Sequence, residues 1–363
     1  MAHRLVAVLR ILFMALGRGF EIGDHEGHLR RRQMVSGAEW KNRFQNSTVA
    51  EVQAHMKRWG VMGADYSVVD ANLATMGPAM ATSNFDTSKD TAFFFMIPKS
   101  GTTTLGAYLA NCVTERLVIA NAVGGFVETF PPTSLKVVDH KGNKYVNVDV
   151  TTRDGLDWAA EKGIAHSAIA DVLISAFPVH VANVFSAEHK AHMFTLIRHP
   201  FQRTISEFYY CQVAEWEKES YKPWLKDWTL EQYINSDFYV DNFITRQLVG
   251  KTSTRASLDD SDLEFAKHLL STRCLVGLTI FYPESLRRFE KYFKWESDFA
   301  CVQNLFANQA NVNHHPNELV KDSPDYNALV KKNQWDIELW RHAVQVFDEQ
   351  GQYFPTDVLQ IGE

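Results

Sequence analysis

The chain of 363 residues is poor in cysteine, in net charge and in long apolar runs, and each shortage excludes something. Its four cysteines, Cys112, Cys211, Cys274 and Cys301, stand far apart with no CxxC pair. That spacing argues against a zinc site or a disulfide scaffold and leaves room for one or two disulfides. The formal net charge is −6 with 22% charged residues, so no global field draws the chain to nucleic acid or to an anionic membrane. A polyanionic ligand must find a local basic pocket. The N-terminal apolar stretch, residues 5–17 (LVAVLRILFMALG), is interrupted by Arg10 and falls short of the roughly 20 residues that span a bilayer. For residues 1–20 a signal anchor, a signal-peptide core and an amphipathic transit helix all stay open. The phosphate-loop pattern GxxxxGK[ST] is also missing.

What is present suits a sizeable α/β core: 45% of residues are hydrophobic and 12% aromatic. Residues 21–90 mix charges with scattered Met, Gly and Ala and read as a stem or accessory region; the triplet Asn46, Ser47, Thr48 within it has the form of a glycosylation acceptor. From residue 91 the pattern sharpens. Residues 91–97, TAFFFMI, form an apolar run of strand length, as expected of a central parallel strand buried on both faces. Pro98, Lys99, Ser100, Gly101, Thr102, Thr103 and Thr104 follow, after which Leu105, Leu109, Cys112 and Val113 recur at helical spacing. A helix start leaves backbone N–H groups unpaired and carries about half a positive charge, so this strand, loop and helix make an anion site. Gly101 allows close backbone approach, the hydroxyls add donors, and Lys99 adds a full charge. Thr-rich first turns also cap helices without any ligand.

Residues 171–177 (DVLISAF) and 192–197 (HMFTLI) are further strand-length runs, expected beside the first. The second ends in Arg198, with Pro200 suited to the first helical position and Ser206 in the second turn. A guanidinium fork with a hydroxyl is suited to a terminal phosphate monoester. Residues 139–144 (DHKGNK), which include His140, read as the turn of a hairpin between 135–138 (LKVV) and 145–150 (YVNVDV). Residues 325–347 repeat apolar positions helically, which places Trp335 and Trp340 in the core.

The order PKSGTTTL after an apolar strand resembles the 5′-phosphosulfate loop of the sulfotransferases, and RHPFQRTISEFYY resembles the 3′-phosphate motif of the carbohydrate sulfotransferases. Residues 242–250, 274–286 and 311–316 resemble further segments of the same family, with the heparan, chondroitin and dermatan branches nearest in look. Ile280 departs from the acidic residue often found there. The resemblance implies an α/β, P-loop-like sulfotransferase fold over residues 91–355, with a central parallel sheet flanked by helices. It also implies PAPS (3′-phosphoadenosine 5′-phosphosulfate) as donor, no metal, and a glycan or other hydroxyl-bearing acceptor. Pro98 to Thr104 would hold the 5′ end, with Lys99 at the leaving oxygen; Arg198 and Ser206 would hold the 3′-phosphate. His180 lies in a segment that looks like the one carrying the catalytic histidine of the uronyl branch, with His140, His166 and Glu128 as alternative bases. His314 and His315 suit a ligand-contacting loop better than a metal site. The implied location is the Golgi lumen or the secretory-pathway membrane, the alternative being cytoplasmic or organellar. A kinase with a divergent phosphate loop and a catalytically silent glycan-binding relative are the competing functions.

Overall fold

The structure, a computed structural model, describes residues 66–127, 133–217, 220–309 and 319–355. The segment 1–20, most of 21–90 with its Asn46 triplet, and Glu128, His314 and His315 lie outside the described residues. The chain is α/β, built on a seven-stranded sheet flanked by helices, with strand order β3-β4-β2-β5-β1-β6-β7. The strands are β1 (Thr91–Phe95), β2 (Val118–Ala120), β3 (Val137–His140), β4 (Asn143–Val146), β5 (Val172–Ser175), β6 (Ala191–Ile197) and β7 (Cys274–Leu278).

Every neighbouring pair is parallel except the β3–β4 hairpin. Strands β1, β5, β6 and β7 are buried along their whole length, which is why they read as mostly apolar runs rather than alternating ones. Phe93, Phe94 and Phe95 are almost fully removed from solvent, each adding about 1.5–3 kcal/mol of hydrophobic stabilisation. The hairpin turns through Lys141 and Gly142, both at positive φ, as a two-residue connection between twisted strands requires.

The packed body begins before residue 91, where the sequence placed its start. Val69, Leu73, Met76, Met80 and Phe85 are buried in the same core as the sheet, and Leu73 bridges to Ala191. The C-terminal helical stretch divides into Pro324–Lys332 and Gln334–Gly351. Between them Asn333 is buried, and its Oδ1 accepts a 2.6 Å bond from the Tyr239 hydroxyl. Trp335 and Trp340 pack against the core, as their spacing predicted. Cys112 and Cys301 form a disulfide across 189 residues of sequence, while Cys211 and Cys274 are buried thiols.

Four helices position the site: α1 (Thr102–Asn111), α2 (Pro178–Ala182), α3 (Pro200–Val213) and α4 (Tyr282–Phe293). They follow β1, β5, β6 and β7 respectively, so each leaves the sheet at the same carboxyl edge. From β1 the chain crosses towards β2, and from β6 it crosses the other way to β7, so the order reverses between β1 and β6. In open α/β sheets, ligands bind in the crevice at such a point.

Candidate active site

Register decides what meets at this crevice. Phe95 pairs with Ser175 on one side and Thr195 on the other, and β6 continues two residues further to Ile197. Arg198 therefore lies over the loop that leaves β1. Its Nη1 donates to the carbonyl oxygen of Lys99 at 3.1 Å. Burial lowers the Arg198 pKa, and Arg203 adds to the shift, both effects that an anion bound beside the guanidinium would relieve.

The loop itself is held in an unusual backbone. Lys99 has φ 66° and Gly101 φ 76°, left-handed conformations that turn the chain tightly into α1. A Cβ at Gly101 would lie 2.7 Å from Cε2 of Tyr282, whose hydroxyl donates to the Gly101 carbonyl at 3.0 Å. Tyr282 opens α4, in the segment 274–286 that the sequence singled out. Gly101 stands at the N-cap of α1 without a side-chain cap, and the first turn holds no acidic residue. Ser100 is fully buried, yet its Oγ finds no hydrogen-bond partner among the described residues. A buried hydroxyl without a partner costs about 1–3 kcal/mol, so this one calls for a group that the loop would bind. Pro98, Thr102 and Thr104 are buried around it and Thr103 is half-buried. The loop thus combines an uncapped helix start with an unpaired hydroxyl and a lysine, which together fit a phosphate or sulfate ester.

Lys99 is strongly perturbed. Its ammonium stands 3.3 Å from the ring centroid of Tyr210 on α3. Burial pushes its pKa down to about 8, against the opposing pull of Glu207, Cys211 and Glu217, while Arg198 adds to the lowering. The inner face of α3 carries charge as well as apolar side chains. Arg203, 1% exposed, pairs with Glu207 at 3.1 Å, lies over the Phe243 ring and has its pKa held up by Glu207 against desolvation. Ser206 is buried on the same helix. His199 accepts at Nδ1 from the Phe201 amide and so caps α3; burial, then Arg341, lowers its pKa and favours the neutral ring that this bond needs.

The three described base candidates, His180, His140 and His166, separate by edge. His180, half-buried in α2, leaves from the carboxyl end of β5, next to β1, and its ring lies 5.8 Å from that of Phe177. Arg153 sits over the same Phe177 ring at 5.4 Å and donates to Thr252 Oγ1. His140 pairs with Asn143, the first residue of β4, and β4 runs parallel to β2, so His140 occupies the opposite edge of the sheet. His166 is exposed before β5 starts, with its ring 4.7 Å from His189, which precedes β6, and so it also lies at the far edge. Of the described candidates only His180 is on the edge that holds Lys99 and Arg198. Ile280 is exposed on the turn after β7, on the same edge.

Tyr210, Tyr282 and the Arg203–Glu207 pair had no assigned role in the sequence. The adjacent tyrosines of the 198–210 string and the i,i+4 spacing of Arg203 and Glu207 were their available signals. No protein-family model matches the chain, and comparison with curated proteins finds no match.

Proposed function

We propose that this chain is a sulfotransferase, with a P-loop-like sulfotransferase fold, that carries a sulfuryl group from PAPS to a glycan hydroxyl. The observation that supports this best is the bond from Arg198 to the Lys99 carbonyl, which joins two anion-binding segments on adjacent strand ends. A nucleotide phosphorylated at both ends requires two such segments side by side, and ATP does not.

In this reading the unpaired Ser100 hydroxyl and the uncapped start of α1 receive the 5′-phosphosulfate, and Arg198 with Ser206 receives the 3′-phosphate. Transfer breaks the sulfur–oxygen bond to the donor phosphate and forms one to the acceptor oxygen. Lys99 faces the negative charge that grows on the leaving oxygen. His180 takes the acceptor proton as the general base. PAP and the sulfated acceptor then leave. The Cys112–Cys301 disulfide suits an oxidising compartment and supports a place in the secretory pathway, with the Golgi lumen as the proposed site.

The test is transfer of radiolabel from PAPS to a panel of glycans, beside calorimetric binding of PAP and ATP. The reading expects labelled glycan without added divalent metal and tighter binding of PAP than of ATP. Tight ATP binding with activity restored only by Mg²⁺ would favour the kinase, and PAP binding without transfer the silent relative.

A further inference from the structure

Lys99 has an unusual partner. Among the described residues no carboxylate lies within ion-pair distance of its ammonium. The nearby acids are engaged elsewhere: Glu207 with Arg203 at 3.1 Å, and Glu217 with the Ser220 hydroxyl at 2.9 Å. The Tyr210 ring face, 3.3 Å away, is what the ammonium touches. That ring has neighbours of its own. It packs edge-on to Trp216 at 6.1 Å, and burial followed by Glu217 raises its pKa, so the phenol stays protonated. The negative face of an aromatic ring attracts a cation more strongly as water is removed. The left-handed backbone at Lys99 directs the side chain towards α3 rather than along the loop.

We propose that Tyr210 is a positioning residue: its ring face is the resting seat of the Lys99 ammonium, keeping it charged in a desolvated cleft until an anionic oxygen of the donor displaces the ring. What Lys99 then does rests on the sulfotransferase reading; the seat itself does not. Loss of the ring face lowers the lysine's affinity for its proton, whereas loss of the hydroxyl alone does not.

The experiment follows the pH dependence of Lys99 labelling by an amine-reactive reagent in the full chain, quantified by peptide mass spectrometry. The wild-type midpoint is expected at about 8. Tyr210→Leu should move it down by about 0.5–1.5 pH units, the size of a partly desolvated cation–π contact. Tyr210→Phe should leave it in place. A midpoint unmoved in Tyr210→Leu, or moved equally in Tyr210→Phe, overturns the proposal. Should Tyr210→Leu fail to fold, Tyr210→Trp decides: its stronger ring face should raise the midpoint, and an unchanged or lower value overturns the seat. A parallel arm adds saturating PAP to the wild type. If PAP fails to protect Lys99 although the midpoint shifts as expected, the seat stands and the donor reading falls; protection without a shift gives the reverse.

Discussion

The guanidinium of Arg198 is bonded to the backbone of Lys99, Nη1 to carbonyl oxygen at 3.1 Å, although 99 positions separate them. The contact exists because β6 outruns β1 at the carboxyl edge of the sheet. It makes the two halves of the candidate donor site one mechanical unit: a change at Arg198 reaches the loop as well as any phosphate.

Arg198→Ala should weaken PAP binding by about 1.5–3 kcal/mol, the range for a hydrogen bond to a charged group. Calorimetry measures it directly. Unchanged PAP affinity would remove Arg198 from the 3′-phosphate site.

Gly101→Ala meets two obstacles, a φ of 76° and a Cβ 2.7 Å from the Tyr282 ring. The expected cost is about 1–3 kcal/mol of stability, together with weaker PAP binding. Denaturant unfolding checks the first. In a Tyr282→Ala background the steric part should vanish, leaving backbone strain of about 1 kcal/mol.

The Lys99 pKa of about 8 lies below the ordinary lysine value of 10.5, so the folded chain releases this proton before the unfolded chain does. Between those values the unfolded state holds more protons, and the contribution of Lys99 to stability rises with pH across that window. Donor binding behaves oppositely. A bound phosphate favours the ammonium, so PAP affinity should fall as pH rises past about 8, by at most about tenfold per unit. Lys99→Met should abolish this limb and depress turnover more than it depresses donor affinity at neutral pH. Calorimetry across the range tests it, and a flat wild-type profile would contradict it.

His180→Ala should lower turnover by about 10²–10⁴-fold while PAP affinity is retained, as removal of a general base does. His140→Ala and His166→Ala, at the far edge of the sheet, should leave turnover as it is. A loss below about tenfold at His180 would move the base elsewhere.

The sequence by itself determined the strands and the loops that end them. Phe93, Phe94 and Phe95 announce a strand buried on both faces because a parallel sheet covered by helices favours apolar side chains on both of its faces. The step from that run to Lys99, Ser100 and Gly101, and the step from β6 to Arg198 and Pro200, are local chemistry, so they were legible without any contact. The hairpin at His140 was legible for the same reason.

Tertiary structure alone decided which of these local features meet. The runs 171–177 and 192–197 were expected beside the first strand, and β5 and β6 do flank β1; the register that sets Phe95 between Ser175 and Thr195 came only with the packed sheet. The edge of the sheet separated His180 from His140, and that depended on β4 pairing in parallel with β2. Arg203 turns inward on α3 because Glu207 neutralises it one turn away and Phe243 covers it. Tyr210 stands 111 positions from Lys99, and a cation over a ring leaves no periodic trace in sequence. Local pattern is written by backbone geometry and solvent, whereas the meeting of distant side chains is set by strand register, which only the packed whole can fix.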